Sequence, residues 1–207
     1  MNPTQSNVLD AIQNRYSPYR FEPREVEDDK ILACLEAARW AASSFNDQPW
    51  NWIVARRQDT VEFETMIDCL MEANQDWARQ AGALLITVNR TTFRRNQKHN
   101  RVALHDLGQA SAYLALQAAE LGLQAHQMGG VNLSRLRQQY EIPQDHEPQT
   151  AIAIGYPDRS EPTSEQGKAW QARENSARQR LSLSEQTFVG KWGVPAEFVK
   201  RSEGKVS

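Results

Sequence analysis

Ala41-Ala42-Ser43-Ser44-Phe45-Asn46-Asp47-Gln48-Pro49-Trp50-Asn51-Trp52 joins two segments of different periodicity. Upstream, Ile31, Leu32, Leu35 and Ala38 recur at helical spacing behind the acidic start Glu27-Asp28-Asp29, which suits the positive end of a helix dipole. Downstream, Trp50, Trp52 and Val54 alternate with Asn51, Ile53 and Ala55, the pattern of a mostly buried strand. The stretch is therefore a helix-to-strand loop, and its chemistry is concentrated. Ser43, Ser44, Asn46 and Gln48 supply two hydroxyls and two amides, while Pro49 biases Gln48 away from right-handed helical geometry. Beside tryptophan walls, such neutral groups can bond the oxygens and nitrogens of a flat polar heterocycle without a charge mismatch. The same residue types also cap helices and form local turns, so composition leaves both readings open.

The chain of 207 residues is long enough for one domain, 1–207, with a substantial core. A net charge of -2 gives no general attraction for polyanions, which argues against nucleic acid as the main ligand. Cys34 and Cys69 lie in helical stretches without Cys-x-x-Cys spacing, as expected of buried reduced thiols. No cluster has metal-ligand spacing, so no metal is expected; His99 and His105 fall on different helix faces. No apolar run approaches the roughly 20 residues needed to span a bilayer, and the polar start lacks a signal peptide's apolar centre. A cytoplasmic protein is expected.

Thr4 to Asn14 reads as a short amphipathic helix through Val8, Leu9 and Ile12. After it, Pro18 imposes an extended or turning path on Arg15-Tyr16-Ser17-Pro18-Tyr19, where the Arg15 guanidinium and Ser17 hydroxyl can meet one anion or simply belong to a solvated surface loop. Val61, Met66, Ile67, Leu70 and Met71 suggest a helix behind the cap candidate Asp59, followed by Asn74. Ala83 to Val88 reads as a strand buried on both faces. Asn89 to Asn100 carries Arg90, Arg94, Arg95 and Lys98 around Phe93, an electropositive flap able to attract nicotinamide-cofactor phosphates or to be merely solvated. The longest periodic segment runs from Leu104 to Leu121 with small residues along it, as in a central or dimer-interface helix ending at Gly122. Gln127-Met128-Gly129-Gly130 follows a short strand, and paired glycines let main-chain N–H groups approach a ligand edge or simply turn tightly. Ala151 to Gly155 is a further buried strand. Arg178 and Arg180, at i and i+2 in extended chain, face one side as a shared anion needs, and by themselves also read as solvated surface charges.

Ser43-Ser44-Phe45-Asn46-Asp47-Gln48-Pro49-Trp50 resembles the Ser-Ser-x-Asn-x-Gln-Pro-Trp signature of the nitroreductase family, dimeric flavoenzymes that carry FMN. Arg15-Tyr16-Ser17 resembles the start of the family's Arg-x-Ser-x-Arg (or Lys) motif, Asp106-Leu107-Gly108 the opening of its long helix, and Ile154-Gly155-Tyr156-Pro157 a strand end. Two departures stand out: Ala42 where the family usually has Pro, and Tyr19 where it has a base near the pyrimidine edge of the flavin, Arg20 being displaced by one.

The resemblance implies an α+β fold, a mixed sheet flanked by helices, built as an intertwined homodimer whose C-terminal 181–207 wraps the partner subunit. It implies FMN held by Arg15, Tyr16, Ser17, Tyr19, Asn74, Gln127, Gly129, Gly130, Arg178 and Arg180. Ala42 is implied in cofactor binding as well, and Ser43, Ser44 and Asn46 would serve the flavin of the partner. The implied activity is two-electron transfer from NADH or NADPH, through flavin N5, to a nitroaromatic, quinone or related small acceptor. No protein catalytic residue is required, because the cofactor performs the redox step. The other reading is a flavin-binding carrier or sensor without turnover, which the neutral Tyr19 favours.

Overall fold

The computed structural model describes residues 2, 4 and 6–199. Its sheet is built from β1 (Trp50–Arg56), β2 (Ala83–Arg90), β3 (Gln124–Met128) and β4 (His146–Gly155), in the spatial order β1-β2-β4-β3. The expected α+β architecture is present, but every described strand pair is antiparallel, where a mixed sheet was expected. The reason lies in the long crossover. Helix α5 (Ala103–Glu120) returns the chain from β2 to β3 in the same direction, and β4 then inserts between the two in the opposite sense.

Alternation along the central strands assigns the two faces of the sheet. Leu84, Ile86 and Val88 of β2, with Ala151 and Ala153 of β4, pack against α3 (Thr60–Ile67), α4 (Glu72–Ala78) and α6 (Leu133–Gln139) through Met66, Ile67, Trp77 and Leu136. Leu85, Ile152 and Ile154 point the other way, onto α2 (Asp28–Arg39) and α5 through Cys34, Ala38, Leu107, Ala110 and Leu114. Leu84, Leu85 and Ile86 are completely buried. That explains the unbroken apolar run of β2, and each such side chain contributes about 1.5–3 kcal/mol by leaving water. Small residues on α5 bring α2 close, and Gly122 ends the helix in the left-handed region at φ 76°.

Two expected helices are revised. The first helix, α1, covers only Asp10–Asn14, with Leu9 and Ile12 exposed. Without a buried apolar face, the preceding residues lack the packing that offsets helix nucleation. The stretch 61–71 is not one helix either: α3 ends at Ile67, and Val61 and Met71 are exposed. Leu70 instead bridges to Val131, and the Met71 N–H donates to the Gly130 carbonyl. This non-local pairing starts α4 afresh and so carries Asn74 to the end of β3. The surface stretch after β4 contains α7 (Glu165–Asn175). Both cysteines are buried and free.

Candidate functional site

The N-terminal motif runs alongside β3. The Tyr16 N–H donates to the Gln124 side chain at 2.9 Å, and two residues later His126 Nδ1 meets the Pro18 carbonyl at 2.7 Å. From Gln124 to Gly129 the strand covers about 17 Å at roughly 3.3 Å per residue. At one end of this track lie the arginines and at the other the paired glycines.

Arg15, Arg178 and Arg180 line one cavity of about 600 Å³, and Arg178 donates to the Arg15 carbonyl at 3.0 Å. Chain segments far apart in sequence thus deliver three guanidiniums to one place. Among the described residues none of the three is ion-paired with a carboxylate. Burial, together with the neighbouring Arg178 and Arg180 charges, pulls the Arg15 pKa below its ordinary value. Such mutual repulsion is relieved by a bound anion, and a phosphate offers the acceptor geometry that guanidinium forks match. Ser17, exposed beside Arg15, can add a hydroxyl donor.

At the other end, Asn74 donates through Nδ2 to the Gly130 carbonyl at 3.1 Å, while its Oδ1 accepts from the Trp77 indole at 3.3 Å. A Cβ at Gly130 would lie 2.4 Å from that amide nitrogen, so any larger residue there must displace the Asn74 side chain. Gly130→Ala is expected to lower stability by about 1–3 kcal/mol in urea denaturation, the usual cost of overpacking. Unchanged stability would mean that Asn74 is free to move aside. Gly129 differs: a Cβ there would meet nothing, and the backbone is exposed to an approaching ligand. Gln127 is exposed, its side-chain amide bonding the Ser111 carbonyl at 3.4 Å. Tyr19 stands between the ends, half-buried, its ring 5.4 Å from Trp77 and 4.9 Å from His126, both edge-on. Burial lowers the His126 pKa, and its ring stacks on Trp77 at 4.3 Å.

Loop 43–48 forms a second cluster. Phe45, Asn46 and Gln48 all have left-handed backbone, with φ of 56°, 53° and 50°. Left-handed geometry costs a non-glycine residue roughly 1–2 kcal/mol, asparagine least, so the surroundings must impose it. They do so through the Ser43 hydroxyl, which accepts from the Gln48 N–H, and the buried Asp106, which accepts from the Ser44 N–H at 3.0 Å. The buried Asp47 accepts from the Arg94 N–H at 2.8 Å, tying the loop to the flap. Ala42 and Asn46 remain exposed, and the Asn46 side chain makes no hydrogen bond among the described residues. Asp106 sits in the first turn of α5, whereas Gln124 follows its C-terminal end. At about 1.5 Å per residue, Asp106 to Glu120 spans about 21 Å. No described hydrogen bond links this loop to the three arginines.

Four residues that shape the site were missed in the sequence. Asp47 and Asp106 anchor the strained loop, Trp77 and Glu174 the track. Glu174 Oε1 accepts the N–H groups of both Tyr19 and Arg20, at 2.6 and 2.7 Å, and fixes the path of the motif. One signal was available: Glu174 falls in the last turn of α7, where the helix dipole disfavours a carboxylate unless it has partners. Arg20 is buried and ion-paired with Asp158 at 3.0 Å.

The donor set thus fits an elongated ligand with a phosphate at one end and a flat polar ring at the other, such as FMN. Among relatives, a candidate NADH dehydrogenase/NAD(P)H nitroreductase of Methanothermobacter thermautotrophicus is 28% identical over 157 residues, 73% of this chain and 78% of its own length. The crystal structure of an oxidoreductase containing FMN is 29% identical and superposes with a TM-score of 0.83 over 93% of this chain and 96% of its own. A second solved structure, a candidate NADH dehydrogenase/NAD(P)H nitroreductase from Parabacteroides distasonis, is 25% identical with a TM-score of 0.62, covering 75% of this chain and 90% of that one. The sequence model of the Nitroreductase family matches residues 12–156, most of the chain, and the protein therefore belongs to the nitroreductase family.

Proposed function

We propose that this protein is an FMN-dependent NAD(P)H oxidoreductase, a cytoplasmic homodimer that reduces a nitroaromatic, quinone or related small acceptor. The observation that carries this reading is the convergence of Arg15, Arg178 and Arg180, without carboxylate partners among the described residues, at one end of a track that ends at Gly129 and Gly130. Bound FMN supplies two-electron transfer between the nicotinamide donor and the acceptor. The residues of this chain do the rest. The arginines and Ser17 hold the phosphate, Gly129 leaves its N–H open to the ring edge, and Asn74 fixes the turn that presents it. Tyr19, Trp77 and His126 form an aromatic wall that excludes water. Half-buried Ser43 and Ser44 and exposed Asn46, on the loop anchored at the other end of α5, serve the partner subunit's cofactor.

The exposed apolar residues after the arginines support that dimeric arrangement. Leu181, Leu183, Val189 and Trp192 lie on the surface, Trp192 at 91% exposure, and are ready to be covered by a second copy. Residues 200–207 of the expected wrapping segment lie outside the described residues.

Mixing the purified yellow protein with NADPH or NADH in a stopped-flow spectrometer tests the reading: the flavin absorbance should bleach and return on adding a quinone. A flavin that stays oxidised with both donors would make the protein a carrier or sensor. The loop assignment has its own test. Asn46→Gly keeps the left-handed backbone while deleting the amide, which alanine would not do. It should leave the dimer intact in light scattering and weaken FMN binding or slow reduction by about tenfold, the worth of one hydrogen bond. Normal binding and reduction would make Asn46 a turn residue only.

A further inference from the structure

The flap between β2 and α5 has a face that the proposed flavin site does not use. Residues 90–101 contain five cations and no acid. Two are committed: Arg90 pairs with Asp145, and Arg94 donates from Nε to the Asp47 carbonyl. Arg95, Lys98 and Arg101 are exposed and have no carboxylate within ion-pair distance among the described residues. The flap is nevertheless an ordered hairpin, with a bridge between Thr92 and His99 and a buried Asn100. Like charges concentrated in a hairpin oppose its folding, and a bound anion removes that opposition.

The aromatic content of this face narrows the anion. Phe45 is 69% exposed on its strained backbone, meets Phe93 edge-on at 5.8 Å, and carries the Arg95 guanidinium 3.6 Å above its ring. An open aromatic ring beside a stacked guanidinium is a platform for a purine, and the neighbouring cations suit a phosphomonoester attached to it. NADPH differs from NADH by one such group, the 2′-phosphate on the adenosine ribose. Resting on the oxidoreductase reading above, we propose that Phe45, Phe93, Arg95, Lys98 and Arg101 form the adenosine 2′-phosphate site and make NADPH the preferred donor. The strain in loop 43–48 then has a second use: it holds Phe45 out against the flap.

Calorimetric titration with 2′,5′-ADP and with 5′-ADP tests the site without any redox step, since the two differ mainly in where the second phosphate sits. The 2′,5′ isomer should bind at least about tenfold more tightly. Replacing the three cations together (Arg95→Ala, Lys98→Ala, Arg101→Ala) should bring the two affinities within about threefold of each other. The single Lys98→Ala change should give part of that loss. Steady-state kinetics should follow, with KM for NADPH rising in the triple variant far more than KM for NADH. Equal binding of the two nucleotides by the parent protein, or equal loss of both in the triple variant, would overturn the site and reduce the flap to a general anion attractor. Failure of the broader reading looks different: neither NADPH nor NADH would then bleach the flavin, whatever the nucleotide affinities.

Discussion

Replacing Arg178 and Arg180 together by alanine is expected to weaken FMN binding by about two to four decades. Charge-assisted hydrogen bonds contribute roughly 1.5–3 kcal/mol each, so losing two costs about 3–6 kcal/mol of binding free energy. The effect should not be purely electrostatic. Arg178 also donates to the Arg15 carbonyl, and its removal loosens the backbone that aims Arg15 into the same cavity. Among the described residues Arg180 donates only within its own segment, to the Gln179 carbonyl, so Arg180→Ala alone reports the loss of a cation with the motif still in place. Titration of the apoprotein with FMN, followed by quenching of flavin fluorescence, measures both. An unchanged affinity in the double variant would show these arginines to be solvated surface charges.

Tyr19→Arg is expected to raise the midpoint potential of the bound flavin. Reduction adds negative charge to the ring system, and a cation beside it favours the reduced form; Tyr19 brings none. A unit-charge pair about 4 Å apart is worth about 4 kcal/mol at an effective dielectric of 20. With about 30 mV corresponding to roughly 1.4 kcal/mol for a two-electron couple, the upper bound is a rise of about 90 mV. Desolvation of the new guanidinium lowers that figure. The variant also loses edge-on contacts of the Tyr19 ring with Trp77 and His126, so some stability should go with it. The structure removes one objection: Arg20 cannot already fill the role, because it is buried and paired with Asp158 and the Ser160 carbonyl. A spectroelectrochemical titration of both proteins at one pH decides the matter. No rise would point to Arg173, whose guanidinium lies 5.6 Å from the Tyr19 ring, as a cation already serving the flavin.

Much of this molecule is written locally. The unbroken apolar run of β2 announced a strand buried on both faces, because alternate side chains feed two separate cores. The three-four spacing of α5 and Gly122 behind it announced a long central helix and its end, because the periodicity and the cap act within a few residues. Arg15, Gly130 and the Ser43–Asn46 loop could be named as candidates from residue type and spacing, beside an equally local reading as turn or surface residues, whereas Asn74 and Arg178 owe their assignment to the resemblance to the family's motifs. What separated sequence could not decide is everything settled by pairing at a distance. The stretch 61–71 breaks into two helices because Leu70 and Met71 bond to the turn after β3, a preference stronger than their own helical periodicity. The sheet is antiparallel because β4 slots between two strands that the chain joins through α5. The left-handed backbone of Phe45, Asn46 and Gln48 is no preference of those residues, and it exists because Asp106 and Arg94, far along the chain, hold the loop there. Local propensities amount to a few tenths of a kcal/mol per residue, whereas satisfying a buried carboxylate or backbone donor is worth one to three, by about these margins, and the tertiary partner wins.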